Sequence, residues 1–313
     1  MNEIQQRLVE EELEHFRDGW IDRREFLRRA GLFGMAAAAA SAVARTVTPG
    51  TARAATLAAT SPFHVEEDDP SITPEWVWYD TTDGTQMKAY VAWPSGEMAP
   101  NSLPCVAVCQ ENQGLNAHIK DVARRFAKQG YVAIAPDLLS HVGPPTDELA
   151  PDAIRPAQSR LSARQNPLDF VAALDFMKLR PAVDSTKLAA IGFCFGGGVI
   201  WELTTLYPDL VAAAPFYGTP PPTVGIPQIR AAVLGVYAEL DTGTTARGLA
   251  TQPTLDAAGI TYTMKVYPGS QHAFHNDTGA SYNPVTAPEA WMDTLNWFAE
   301  HLGMPAPTFA PLA

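Results

Sequence analysis

Two apolar patterns alternate along the chain. Short apolar runs bounded by turn residues predict strands at 104–110, 131–135, 187–192, 211–217, 231–237 and 261–267. Apolar residues spaced three or four apart predict helices at 116–129, 168–179, 195–207, 247–258 and 288–302. Two further strands, 77–81 and 87–93, flank Asp83-Gly84 and predict a hairpin. Strands and helices that alternate in this way predict an α/β fold with a mainly parallel sheet flanked by helices.

The folded domain is predicted at residues 76–302. Residues 55–75 contain three prolines and an acidic run without periodicity, which indicates a linker, and the proline-rich residues 303–313 indicate a loose tail. A long proline-rich segment, 136–166, predicts a loop that forms a cap or rim over a functional site.

Residues 1–54 are predicted to be an export leader. The pair Arg23-Arg24 precedes apolar residues, an uncharged alanine-rich stretch follows at 30–44, and small residues stand at 52 and 54. This arrangement resembles a twin-arginine signal, although Asp22 stands where serine or threonine is usual. An amphipathic surface helix is the alternative. The signal predicts recognition by the twin-arginine export machinery and a periplasmic or extracellular location, with membrane tethering if the leader is not cleaved.

Composition narrows the range of functions. The 313 residues are 46% hydrophobic and 18% charged, enough for one large domain or two small ones. The net charge of −12 argues against partners such as nucleic acid or an anionic membrane surface. No apolar run reaches the length of a membrane-spanning helix. The three cysteines do not indicate a disulfide scaffold, because their number is odd and Cys105 and Cys109 lie too far apart along one strand.

The strongest chemical signal is the sequence GFCFGGG at 192–198, between a predicted strand and a predicted helix. Glycines two positions either side of Cys194 allow the strand and helix to pack closely. The turn then presents the cysteine above the sheet at a helix N-terminus, which favours a thiolate. A buried structural cysteine in a glycine turn is the alternative.

An acid and a histidine follow the cysteine in chain order, each after a predicted strand. Asp241 follows the strand at 231–237, with Glu239 as its rival, and His272 follows the strand at 261–267, with His275 as its rival. The order nucleophile, acid, histidine is that of α/β-hydrolases. Histidine exchanges protons near neutral pH, and a carboxylate fixes its tautomer. We therefore predict a catalytic triad at the carboxyl edge of the sheet.

The segment 111–114 follows the strand at 104–110. In this fold a backbone N–H from that loop and the N–H after the nucleophile form the oxyanion hole, which indicates Asn112 and Phe195 as donors. Glu111 is expected to lie close to Cys194.

Four segments together resemble the dienelactone hydrolase (carboxymethylenebutenolidase) family over residues 76–302. They are CQENQGLN at 109–116, APDL at 135–138, IGFCFGG at 191–197 and YPGSQHAF at 267–274. The resemblance implies an α/β-hydrolase fold without a metal or organic cofactor. It also implies Cys194 as nucleophile, His272 as base, Asp241 as the group that orients it, and Glu111 as the group that helps convert the thiol to a thiolate.

The sequence departs from the family at two residues that bind the substrate. Family members that cleave dienelactones carry two arginines that grip the substrate carboxylate, and His141 and Asn276 stand at those positions. We therefore predict a hydrolase of a neutral or weakly acidic ester or lactone. Aromatic residues are candidates for an apolar pocket, Phe274 among them, together with Phe193, Phe195 and Phe216.

Two other functions remain open: an exported binding protein that kept the fold without turnover, and a thiol redox protein. The intact triad order argues against the first, and the placement of Cys105 and Cys109 on another strand argues against the second. The seven histidines show no metal-ligand spacing, so no metal is predicted. The expected assembly is a monomer or a small homo-oligomer.

Overall fold

The protein is described by a computed structural model that covers residues 61–307 together with Leu13, Phe26 and Leu27. The chain divides into two compact units, Met1–Ala58 and Ala59–Ala313. The predicted leader, apart from those three residues, lies outside the described part, and so do residues 308–313 of the predicted tail. Within the described residues no helix combines the length and apolar character that a membrane span requires.

The second unit contains one eight-stranded sheet in the order β1-β2-β4-β3-β5-β6-β7-β8. The first two strands form an antiparallel hairpin, β2 pairs antiparallel with β4, and the remaining pairs are parallel. The prediction of a mainly parallel α/β-hydrolase sheet is confirmed. The strands are β1 (Ile72–Asp80), β2 (Gln86–Pro94), β3 (Leu103–Cys109), β4 (Val132–Pro136), β5 (Val183–Phe193), β6 (Ala212–Phe216), β7 (Ala232–Ala238) and β8 (Tyr262–Tyr267).

Helices cover the sheet. They are α1 (Ala117–Lys128), α2 (Pro151–Gln158), α3 (Gln165–Lys178), α4 (Phe195–Leu206), α5 (Thr242–Ala250), α6 (Gln252–Ala258) and α7 (Thr286–His301). Helices α1 and α7 meet through Phe126, which packs against Trp291 and Phe298. Helices α3 and α4 contribute to a core cluster with strands β1 to β6. Every residue of β4 and of β7 is buried, which explains the continuous apolar runs in the sequence.

The structure differs from two of the sequence predictions about helices. The segment 136–166, predicted as a loop, contains α2 and two short 3₁₀ turns, Leu138–His141 and Thr146–Glu148. A helix this short, with Pro156 inside it, has little helical periodicity to detect. The single helix predicted at 247–258 is two helices, because Pro253 lacks the N–H that would continue the first of them.

Two backbone N–H groups in the described part of the predicted linker, 55–75, bond to carboxylates of the folded domain. The N–H of Ser61 donates to Oδ2 of Asp277 (3.0 Å), and the N–H of Val65 donates to Oδ1 of Asp121 (2.8 Å). Both backbone groups are satisfied by buried carboxylates distant in sequence, and such contacts leave no periodic pattern in the segment itself.

Candidate active site

The turn between β5 and α4 presents Cys194 at the carboxyl edge of the sheet. Cys194 has φ 55° and ψ −117°, a backbone conformation that residues with side chains rarely adopt. Both neighbouring glycines are required by close packing: a Cβ at Gly192 would lie 2.3 Å from the Gly196 carbonyl oxygen, and one at Gly196 would lie 2.3 Å from that of Gln110. The predicted elbow geometry is therefore present.

Cys194 caps the N-terminus of α4, and Phe195 is the first helical residue. The N–H of Phe195 is one of those that a helix cannot pair internally, so it is available to an oxyanion. Asn112, the predicted second donor, is buried in the loop after β3. The other two thiols, Cys105 and Cys109, are fully buried, and burial raises the pKa of each above its usual value.

Asp241 and His272 are brought together from two loops. Asp241 follows β7 and caps α5, and its Oδ2 lies 2.6 Å from Nδ1 of His272 in the loop after β8. Burial alone would raise the pKa of Asp241, but the hydrogen bond and charge of His272 lower it below the usual value. Burial alone would lower the pKa of His272, but the neighbouring Cys194 and Asp241 raise it well above the usual value. Nε2 of His272 has no partner at hydrogen-bonding geometry among the described residues.

The rival acid and the rival histidine have other environments. Glu239 is exposed, and its carboxylate accepts from the N–H of Gly269 (2.7 Å). His275 is buried against Phe193, with ring centroids 5.0 Å apart. Burial and the nearby Arg125 lower the pKa of His275 well below its usual value, so it stays neutral.

Glu111 is buried at the site and is held on one side only. Its Oε2 accepts from Nδ2 of Asn276 (3.0 Å), whereas its Oε1 has no hydrogen-bond partner among the described residues. Helix α2 supports the same loop, because Nε2 of Gln158 lies 3.4 Å from the Glu111 carbonyl oxygen. Asn276 was predicted as a substrate-pocket residue, and the structure assigns its amide to Glu111.

The other two predicted pocket residues contact the scaffold. His141 lies between Asp83 (3.3 Å) and Asp169 (3.2 Å). Phe274 is fully buried and packs against the rings of Tyr217 and Tyr267. Phe193 and Phe216 are fully buried as well, and their rings pack against each other with centroids 5.0 Å apart.

Sequence analysis missed Tyr217, which directly follows β6. Its ring centroid lies 4.9 Å from that of His272, and its side chain is buried. The available signal was its position, because a polar aromatic residue at the end of a buried parallel strand lies at the functional edge of the sheet.

One group within the described residues has spacing compatible with a metal ion: His64, Asp121 and Asp277, whose ligand atoms lie within 4.8 Å of one another. Arg125 donates to Oδ2 of both carboxylates, at 2.8 Å for Asp277. The guanidinium therefore provides the positive charge that balances these acids, and the group is an ion-pair network.

Comparison with known proteins gives a consistent result. Residues 87–302 match the family model described as the dienelactone hydrolase family. A protein of Yersinia pestis named "Putative carboxymethylenebutenolidase" is 34% identical over 236 residues, which cover 70% of this chain and 86% of the relative. A protein of Saccharolobus solfataricus with the same name is 32% identical over 252 residues, which cover 69% of this chain and 94% of the relative.

Solved structures agree with the sequence relatives. A Klebsiella pneumoniae protein described as a "Putative Dienelactone Hydrolase" is 30% identical with a TM-score of 0.66, and the match covers 73% of this chain and 99% of that one. A dienelactone hydrolase-like promiscuous phosphotriesterase from metagenomic libraries is 26% identical with a TM-score of 0.62, over 74% of this chain and 99% of that one.

Proposed function

Because the chain belongs to the dienelactone hydrolase family and is an ester or lactone hydrolase, we propose that it acts through Cys194 as nucleophile, His272 as base and Asp241 as the orienting acid. The main support is the 2.6 Å contact between Asp241 and His272, next to a cysteine in a nucleophile elbow. A carboxylate on Nδ1 directs the other imidazole nitrogen, Nε2, toward the reacting atoms.

In the first half-reaction the Cys194 thiolate attacks the ester or lactone carbonyl carbon and forms a C–S bond. The N–H groups of Phe195 and Asn112 receive the oxyanion. The tetrahedral intermediate then collapses, the C–O bond breaks, and protonated His272 gives its proton to the leaving alkoxide. The product of this step is a thioester on Cys194.

In the second half-reaction a water molecule attacks the thioester carbonyl. His272 removes one proton from the water, and Asp241 stabilises the resulting imidazolium. The C–S bond breaks, its electron pair returns to sulfur, and the carboxylic acid product leaves. The raised pKa of His272 favours the imidazolium–thiolate pair with which the cycle starts again.

Glu111 is proposed to assist conversion of the Cys194 thiol to the thiolate. Three features support this role: its burial, its position in the loop next to the elbow, and an Oε1 that makes no hydrogen bond within the described residues. Asn276 fixes the other oxygen, so the carboxylate is oriented by a neutral amide.

The proposed substrate is a neutral or weakly acidic ester or lactone. His141 is occupied by two carboxylates, and Asn276 is occupied by Glu111, so neither position offers a permanent positive charge to a substrate carboxylate. Each charge-assisted hydrogen bond is worth about 1.5–3 kcal/mol, so the absence of two lowers affinity for a carboxylate by about a hundredfold or more.

The decisive experiment compares hydrolysis of neutral and carboxylated aryl esters by the wild type, Cys194→Ala and the matched control Cys105→Ala. We expect Cys194→Ala to lose turnover, Cys105→Ala to retain it, and neutral esters to be preferred. Equal activity of wild type and Cys194→Ala would exclude Cys194 as the nucleophile.

We also infer, from the leader sequence, export through the twin-arginine machinery. Replacing Arg23 and Arg24 by lysine should retain the protein in the cytoplasm, as measured by cell fractionation. An exported protein whose intact mass still includes residues 1–54 would contradict cleavage of the leader.

A further inference from the structure

Tyr217 has a strained backbone conformation that its neighbours hold in place at the carboxyl edge of the sheet. Its φ of 37° lies in the region that residues with side chains rarely adopt. Two contacts restrain the backbone here. The N–H of Tyr217 donates to the Val236 carbonyl oxygen (2.6 Å), and the next residue, Gly218, packs against Gly197. The chain thus holds this side chain in one orientation, with its ring against His272.

The Tyr217 hydroxyl is a buried donor without an acceptor. Among the described residues no group accepts from its O–H, although the side chain is almost completely buried. One acceptor atom of the site, Oε1 of Glu111, is also buried and lacks a hydrogen-bond partner among the described residues. Buried polar atoms are nearly always paired in folded proteins, so two such atoms in one active site point to a ligand that pairs with them.

The phenol keeps its proton in this position, beside the ring of His272. Burial raises the pKa of Tyr217 well above its usual value, the charges of Glu111 and Cys194 raise it further, and the His275 N–H offsets part of this rise. The phenol therefore keeps its proton, and its O–H is available to donate a hydrogen bond.

We propose that Tyr217 is a further catalytic residue, whose hydroxyl donates a hydrogen bond to the water that hydrolyses the thioester. This inference rests on the function proposed above. One lone pair of the water accepts from Tyr217, and the other attacks the thioester carbonyl carbon. One water proton passes to Nε2 of His272, while the second O–H donates to Oε1 of Glu111. The new C–O bond forms, the C–S bond breaks, and the electron pair returns to Cys194.

The test separates the two half-reactions. Pre-steady-state hydrolysis of a neutral aryl ester is followed for the wild type, Tyr217→Phe and the control Tyr131→Phe, a buried tyrosine directly before β4. For Tyr217→Phe we expect a burst rate within about twofold of wild type and a steady-state rate lower by about 3- to 10-fold, the range for loss of one hydrogen bond to a neutral water. Quenched samples should then contain acylated Cys194 by intact mass.

The thermal midpoint distinguishes a catalytic role from a structural one. Removing a buried hydroxyl that has no acceptor should leave the Tm of Tyr217→Phe equal to or above that of the wild type. An unchanged steady-state rate, a burst that slows in parallel with turnover, or a lowered Tm would each overturn the role of Tyr217. If wild-type Cys194 is never acylated, the thioester mechanism fails, and the assignment of Tyr217 fails with it.

Discussion

Replacing Asp169 by asparagine tests whether His141 belongs to the scaffold. The Asp169 side chain is completely buried, with Oδ1 3.2 Å from Nδ1 of His141 and 2.9 Å from Nε2 of Gln165. Burial raises the pKa of Asp169 from 3.8 to about 6, although Gln165 and His141 offset part of this effect. Ionised Asp169 therefore lowers the free energy of unfolding, whereas an asparagine at this position would not.

The magnitude follows from the pKa of Asp169. A rise of about 2 in pKa corresponds to about 3 kcal/mol, since each pKa unit is worth 1.36 kcal/mol. Between about pH 4 and 6 the folded protein binds this proton more tightly than the unfolded chain does. The stability due to the neutral acid is thus fully present below about pH 4 and is lost as the pH rises through about 6.

Urea unfolding at pH 4, 5, 6 and 7 measures this effect. We expect the free energy of unfolding of Asp169→Asn, relative to wild type, to increase from pH 4 to pH 7 by about 2–3 kcal/mol. The exposed control Asp68→Asn should follow the wild-type curve. Turnover of neutral esters should be unchanged by Asp169→Asn. Parallel curves for Asp169→Asn and wild type would refute the raised pKa, and a changed ester preference would return His141 to the substrate pocket.

Three further substitutions test the site and its support. Asp241→Asn removes the acceptor of His272, so kcat should fall by about 10²- to 10⁴-fold with Tm nearly unchanged, and a loss below tenfold would contradict the triad. Gly192→Ala places a Cβ 2.3 Å from the Gly196 carbonyl oxygen, so it should lower Tm strongly in calorimetry, and a wild-type Tm would show that the elbow can widen. Arg125→Met removes the guanidinium that Asp121 and Asp277 share, although His118 and Arg124 remain beside them; it should cost about 3 kcal/mol in urea unfolding, and a cost below about 1 kcal/mol would disprove the network.

Strands and helices that leave a pattern in their own residues could be predicted from the sequence. The central strands are buried on both faces, so each is a continuous apolar run, and the helices beside them carry one apolar stripe. Helix α2 and the break between α5 and α6 depend on proline placement within short segments, where periodicity is weak. Residues 61–65 were missed because their partners are carboxylates far along the chain.

The fold class and the candidate triad follow from local sequence patterns, because strands buried on both faces are continuous apolar runs and a tight turn requires flanking glycines. Which polar side chains meet depends instead on tertiary packing. It placed Asn276 on Glu111 and Tyr217 against His272, and it placed His141 between two scaffold carboxylates. Each pairing joins residues that are far apart in the sequence. The distance between two such residues depends on the order in which the strands pair in the sheet, and no local sequence pattern encodes that order.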